Sequence, residues 1–299
     1  MQYIVMDLEW NSAYSHKKKG FINEIIEIGA VRLNDALEFV DSFSMLIKPK
    51  ISKRLQGRVK ELTHLSNEDV QEGVTYSKAI EAFSNWLQEE ENIFLTWGDG
   101  DIRTMLQNHL FFLNEETIPF IDNYVDIQKY CQTILKMSLA QQVGLSDAAV
   151  KMGLDAEKYA HHRALGDSFL TVDCFKKLYD TKKFISFIQR CDADFYGKLN
   201  FKPYFLRNMQ DEKIPKEIFN CVCDQCGGTL KKEKNWRFQN HAFYATFFCK
   251  KCKRHIRFSV RCKQLYDHVD IRKTSKEIVP KPPTPETKEK ATAQDIQPA

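Results

Sequence analysis

The sequence predicts a three-layer α/β domain followed by a small, separate β module, and three observations predict it. Three strand-like runs open the chain: residues 2–8, "EIIEIGAVRL" at 24–33 and "EFVDSFSMLI" at 38–47. Short polar turns join them, as in an antiparallel meander. Apolar runs then alternate with helix-period segments to about residue 180, the pattern of a mixed sheet covered by helices. Last, two Cys-x2-Cys pairs lie close together in a Lys-, Arg- and aromatic-rich stretch beyond residue 220.

After the meander, "SKAIEAFSNWLQEE" at 77–90 has apolar residues at helical spacing behind a serine that can cap it. "NIFLTW" at 92–97 reads as a short strand and "DIRTMLQNHLFFL" after it as a helix. "FIDNYVDI" reads as a strand, "IQKYCQTIL" as a helix and 163–179 as a long helix. This domain spans 1–180. Residues 181–220 are aromatic and charged without clear periodicity and read as an extension packed on it. The cysteine module spans 221–273. From 274 to 299 there are no aromatics and five of the nine prolines, the composition of a disordered tail.

The formal net charge of +4 hides an asymmetry. From Cys221 onward there are 17 Lys+Arg and 8 Asp+Glu, leaving 27 of the 44 basic and 32 of the 40 acidic residues for the body. A basic end on an acidic body points to an anionic partner. No stretch approaches the ~18 apolar residues of a membrane span. Asp7 and Glu9 fall where a secretory signal would need an apolar core. Nine cysteines, three scattered and six between 221 and 262, read as cytoplasmic thiols plus a metal site.

Two carboxylates interrupt the first strand in "IVMDLEW". Side chains at i and i+2 share a face ~7 Å apart. Asp7 and Glu9 there would repel and lose hydration, so a cation or a solvated edge must compensate. Taken singly, the run is equally a strand ending at Met6 that enters a polar loop. "TWGDGD" at 96–101 places Asp99 and Asp101 after a strand and before a helix, where ligand sites gather in α/β sheets. "HHRALGD" places His162 five residues before Asp167 at the start of a late helix. Alone, each of these residues is equally a helix cap or a solvated surface group.

Together, Asp-x-Glu, Trp-Gly-x-x-Asp and His-x4-Asp in that order resemble the DEDDh branch of the DnaQ-like 3′–5′ exonucleases over residues 1–180. "EIIEIGAV" and "ELTHLSNEDV" are similar to spacers of that family, and the Trp-Gly form is closest to its small-RNA-trimming and sporulation-inhibitor-like branch. The resemblance implies an RNase H-like fold in which Asp7, Glu9, Asp101 and Asp167 bind two divalent cations. His162 is then the general base, with His161 as the neighbouring alternative. Hard oxygen ligands suit Mg²⁺ or Mn²⁺. Such a pair stabilises the attacking and leaving oxygens of an in-line displacement. Trp10 and Asn11, where many relatives carry a small residue, become candidate substrate-binding residues, Trp10 by stacking on the terminal base. The Trp10 ring is equally a core or lid aromatic.

Cys223, Cys226, Cys249 and Cys252 fit one tetrahedral Zn²⁺ with no open position, hence a structural ion in a zinc ribbon. "HAFYATFF" and "HIRFSVR" supply its strands. Its Lys, Arg and aromatic residues suit phosphates and bases, and protein docking is the rival use. The reading is therefore a two-metal 3′–5′ exonuclease acting on single-stranded nucleic acid, RNA before DNA, and releasing nucleoside 5′-monophosphates. A non-catalytic binding protein has no physical need for all five site residues. A scavenger of very short oligonucleotides has no use for the basic module.

Overall fold

The computed structural model describes residues 1–88, 90–159 and 162–279. It separates into two compact units, Met1–Asn200 and Phe201–Ala299.

In the first unit, β1 (Gln2–Ser15), β2 (Gly20–Leu33), β3 (Phe39–Leu46), β4 (Asn92–Thr96), β5 (Asn123–Asp126) and β6 (Gln189–Arg190) form one sheet in the order β3-β2-β1-β4-β5-β6. The first three strands are antiparallel, whereas β4 pairs parallel with β1 and β5. The meander is present, but its first hairpin is longer than expected. β1 and β2 stay paired from Tyr3↔Leu33 to Ser15↔Gly20, with a bulge between Glu9 and Trp10.

The helices are α1 (Gly57–Thr63), α2 (Asn67–Gln71), α3 (Tyr76–Leu87), α4 (Gly100–Asn108), α5 (Ile127–Ile134), α6 (Leu145–Lys151), α7 (Ala164–Leu178), α8 (Thr181–Ile185) and α9 (Ala193–Asn200). One further turn, His109–Leu113, continues α4. Alternation along β1 divides the core. Ile4, Met6 and Leu8 pack with Phe83 of α3 and Met105 of α4, while Tyr3 and Val5 pack with Tyr130 of α5 and Phe175 of α7. Fully burying one such side chain stabilises by ~1.5–3 kcal/mol. Two clusters of this size therefore hold the strand rigidly where it leaves the sheet. Asp7 and Glu9 continue the parity of Tyr3 and Val5 and so emerge on the side of α7. Among the described residues no helix is long and apolar enough to cross a membrane.

In the second unit, β7 (Tyr204–Phe205), β8 (Lys231–Gln239), β9 (Ala242–Cys249), β10 (Arg254–Gln264) and β11 (Val269–Ile278) form an antiparallel sheet. Its order is β11-β10-β9-β8, with β7 beside β10. Ile256 and Phe258 pack with Ala245 and Phe247 beside the cysteines, and Val260 with Phe243, Leu206 and Ile214 below.

The expected divisions at 180, 220 and 273 need correction. The segment 181–220 is not one extension, because its two halves serve two cores. Phe184 is buried against Tyr3, Tyr130 and Phe175 in the first unit, whereas Leu206 and Ile214 enter the second core. That split is why no single periodicity runs through it. Residues 274–278, expected in the tail, belong to β11, a largely exposed strand whose polar composition hides its pairing with β10. The rest of the expected tail, from 280, lies outside the described residues.

Candidate active site and cysteine cluster

The acidic residues of β1 lie just before its bulge between Glu9 and Trp10. One carboxylate oxygen each from Asp7, Glu9 and Asp167 lie within 4.8 Å of one another. Two local features bring α7, and with it Asp167, so close to β1. Gly29, paired with Asp7, has no side chain, and a Cβ built there would stand 2.1 Å from the Leu165 amide nitrogen. Ser168 Oγ also donates a hydrogen bond to the Gly29 carbonyl at 3.0 Å.

Asp101 arrives from the other direction, in the first turn of α4. The connection from β4 is held because Thr96 and Tyr124 hydroxyls both donate to the Gly98 carbonyl, at 2.5 and 2.9 Å. Gly98 itself has φ +85°, which favours glycine. Asp101 is buried and its Oδ1 accepts the Leu8 N–H at 3.0 Å, between Asp7 and Glu9. Asp99 instead is half-buried, its side chain 44% exposed and ion-paired with Arg103 at 2.8 Å. Asp101 thus reaches β1 beside the acidic group, although among the described residues the oxygens within 4.8 Å of one another are those of Asp7, Glu9 and Asp167 alone.

His162 is exposed on the loop entering α7, with φ +55°, and its backbone N–H donates to Asp167 Oδ2 at 3.1 Å. His161 lies outside the described residues. Trp10 is half-buried and packs beside Gly100 at the start of α4. Asn11 does not join the site. It is fully buried, its Oδ1 accepting from Gln56 N–H at 2.9 Å and its Nδ2 donating to the Arg54 carbonyl at 3.3 Å. Its amide fastens the 54–56 loop to β1 and has no group left to offer a substrate.

Glu27 was not anticipated as part of the site. It sits opposite Glu9 on β2, buried, and Arg163 binds it through two hydrogen bonds of 3.0 and 2.7 Å. The signal was present, since Glu27 interrupts the apolar run "IIEIGAV" as Asp7 interrupts its own. Arg163 ties the His162 loop to β2 and lowers the proton affinity of Glu9.

Without a cation the group is electrostatically strained. Burial, then repulsion from Asp101 and Asp167, raises the Asp7 pKa well above the carboxylate range. Burial, then Asp167 and Glu27, raises Glu9 to about 8, and burial raises Asp101 to about 7. Converging acidic oxygens that resist ionisation are what divalent cations with hard oxygen ligands relieve. A stability prediction follows. These carboxyls bind more protons in the fold than in the unfolded chain, so their contribution to the stability of the metal-free protein is greatest at low pH. The protein loses that contribution as pH rises through about 7 and 8. If Mg²⁺ or Mn²⁺ takes the place of the protons, it should raise the melting temperature more at about pH 8 than at about pH 5. Melting curves in chelator and in metal at both pH values check this. A chelated protein that grows more stable across the interval contradicts it.

A cleft of about 920 Å³ lies elsewhere, lined by Asn92, Asp122, Arg190 and Tyr196 at the opposite ends of β4 and β5. The acidic group is identified by chemistry and not by cavity size.

In the second unit Cys223, Cys226, Cys249 and Cys252 place their sulfurs within 4.8 Å of one another. Cys223 and Cys252 Sγ are 3.9 Å apart, and Cys226 and Cys249 Sγ 3.6 Å. A regular tetrahedron with Zn–S of ~2.3 Å has edges of ~3.8 Å, so the four sulfurs fit one zinc ion. Backbone N–H groups of Cys226 and Gln225 pull the Cys223 thiol down to about 7, which favours the thiolate a metal needs. Cys221 and Cys262 stay outside the group.

Residues 4–175 match the family model described as Exonuclease. The chain is 28% identical over 184 residues to a Bacillus subtilis (strain 168) protein named "Probable 3'-5' exonuclease KapD", covering 61% of this chain and 86% of that one. It is 26% identical over 190 residues to human "ERI1 exoribonuclease 2", covering 55% of this chain and 26% of the other. The solved nuclease domain of 3'hExo, a DEDDh family member bound to rAMP, superposes with a TM-score of 0.50 at 22% identity. It covers 58% of this chain and 88% of that domain, and shows the same fold.

Proposed function

Because this chain belongs to the exonuclease family, whose DEDDh members cut from 3′ ends with divalent metal ions, we propose that its acidic group is a two-metal centre. In this reading the centre releases nucleoside 5′-monophosphates from the 3′ ends of single-stranded RNA. The observation that carries the reading is the convergence of Asp7, Glu9 and Asp167 oxygens within 4.8 Å, with Asp101 at the same stretch of β1.

Those four carboxylates would hold two Mg²⁺ or Mn²⁺ ions, which when bound stabilise the attacking and leaving oxygens and favour a hydroxide nucleophile. His162, exposed and with its backbone N–H bonded to Asp167, would accept the proton as water attacks phosphorus. The bond from phosphorus to the 3′ oxygen of the penultimate nucleotide breaks, and the terminal 5′-monophosphate departs. Trp10, half-buried beside Gly100, is the candidate to stack on the terminal base. RNA is placed before DNA because the human relative is named an exoribonuclease.

The ribbon would hold one structural Zn²⁺ and help retain substrate. Tyr244 on β9 lies between Arg237 of β8 and Arg257 of β10, whose guanidinium stands 5.8 Å from the ring centroid. Nine unbridged cysteines suit a reducing cytoplasm.

Incubating 5′-labelled single- and double-stranded RNA and DNA with Mg²⁺ or Mn²⁺ tests the reading. Stepwise shortening from the 3′ end, fastest on single-stranded RNA and absent in chelator, is the expected pattern. Internal cuts, or no metal-dependent shortening, would overturn it. In the same assay, equal long-strand rates for wild type and Arg237→Gln/Arg257→Gln would assign the ribbon to protein docking.

A further inference from the structure

The strand that carries Asp7 and Glu9 does not stop at the site. It runs on to Ser15, pairs with β2 throughout, and turns through His16, Lys17, Lys18 and Lys19, all exposed. Tyr14 and Phe21 flank the tip, 48% and 71% exposed, with their rings edge to face at 5.5 Å. Lys17 and Lys18 ammonium groups stand 5.7 and 5.9 Å from the ring centroid of Phe111, in the turn after α4. Across a cleft of about 370 Å³ from Tyr14 and Lys17 lies Lys50, in the connection from β3 to α1. Buried Glu24 of β2 holds that connection by accepting the backbone N–H groups of Lys50 and Ile51.

The charge here is one-sided. Residues 10–22 hold three lysines and residues 42–60 six Lys and Arg, with no Asp or Glu in either stretch. Yet the body before Cys221 has more acidic than basic residues, 32 against 27. Among the described residues, Lys17, Lys18, Lys19, Lys50 and Lys53 make no ion pair with a carboxylate. A lysine tip that served only solubility would not need exposed rings beside it, which water disfavours. Unpaired ammonium groups interleaved with rings are the chemistry of single-strand binding: cations follow phosphates and rings stack on bases.

We propose that the β1–β2 hairpin tip and the β3–α1 connection form a platform for the single strand 5′ of the scissile linkage. This rests on the exonuclease reading and adds a second substrate contact within the catalytic unit. Six residues of β1 separate Glu9 from Ser15, ~20 Å or about six stacked nucleotides. The hairpin tip therefore grips long strands and cannot be reached by a trinucleotide held at the metals, whereas the β3–α1 connection, fastened to β1 at Asn11 and Ser12, lies nearer the site.

The test uses the full chain. Affinity for a long oligouridylate is measured against salt for wild type, for Lys17→Ala/Lys18→Ala/Lys19→Ala, and for Lys176→Ala/Lys177→Ala/Lys182→Ala. The last removes equal charge from exposed lysines of α7 and α8. Each phosphate contact of a single strand contributes ~0.7 to the slope of log affinity against log salt. The hairpin triple should lower the slope by ~2, and the control triple should leave it near wild type. Tyr14→Ala should weaken binding about five-fold or more. Thermal melting confirms that all variants fold. A hairpin triple with wild-type slope, or a loss equal to that of the control, overturns the platform. Metal-dependent shortening of a trinucleotide by the wild-type protein tests the exonuclease reading separately, so either can fail alone.

Discussion

Replacing Asp7 or Asp101 with asparagine is expected to reduce metal-dependent hydrolysis to the level of a chelated control while the protein stays folded. In the proposed two-metal centre, either change removes an oxygen ligand from a group that needs several to neutralise two divalent ions. Neither should lower the melting temperature of the metal-free protein, because each replaces a carboxyl whose ionisation burial and its acidic neighbours oppose. Asp99→Asn is the matched control: that carboxylate faces solvent and Arg103, so it should keep most of the activity. Rates and melting curves for the three variants decide the matter. Loss of activity in Asp99→Asn with retention in Asp101→Asn would transfer the role to Asp99.

The second large effect is expected at His162. Removing a positioned general base slows hydrolysis by roughly 10²–10⁴-fold. The substitution has to respect the backbone, since φ +55° strains most residues but suits glycine and is tolerated by asparagine. His162→Gly and His162→Asn both keep the N–H that holds Asp167, so a fall in rate shared by both reports the lost imidazole and not a displaced ligand. A variant with the full wild-type rate would move the base to another group, with His161 the next to test.

What the chain disclosed in advance was whatever breaks a local rule. Asp7 and Glu9 stand where a buried strand wants apolar residues, and four cysteines recur at metal-ligand spacing. Both point to chemistry because packing alone would not select them. Glu27 breaks the same rule in β2, yet its neutralising partner Arg163 is 136 residues away and only folding reveals the pair. The outer half of the first hairpin was illegible for a different reason. "NSAYSHKKKGF" has no alternation of apolar and polar residues, and its pairing is carried outward by the register of the inner half. Asn11 shows the reverse error: a polar residue beside the site that is wholly occupied by backbone.

Gly29 sets a tolerance. The Cβ of any other residue would begin 2.1 Å from the Leu165 nitrogen, and ordinary contacts start at 3.4 Å, so α7 would have to retreat by more than an ångström. Metal–ligand distances are held to roughly ±0.2 Å, several-fold finer than that retreat. A single methyl group at a position that touches neither metal nor substrate would therefore carry Asp167 beyond the reach of an ion shared with Asp7. In engineering terms, the spacing between strand and helix is gauged by an atom the chain leaves out.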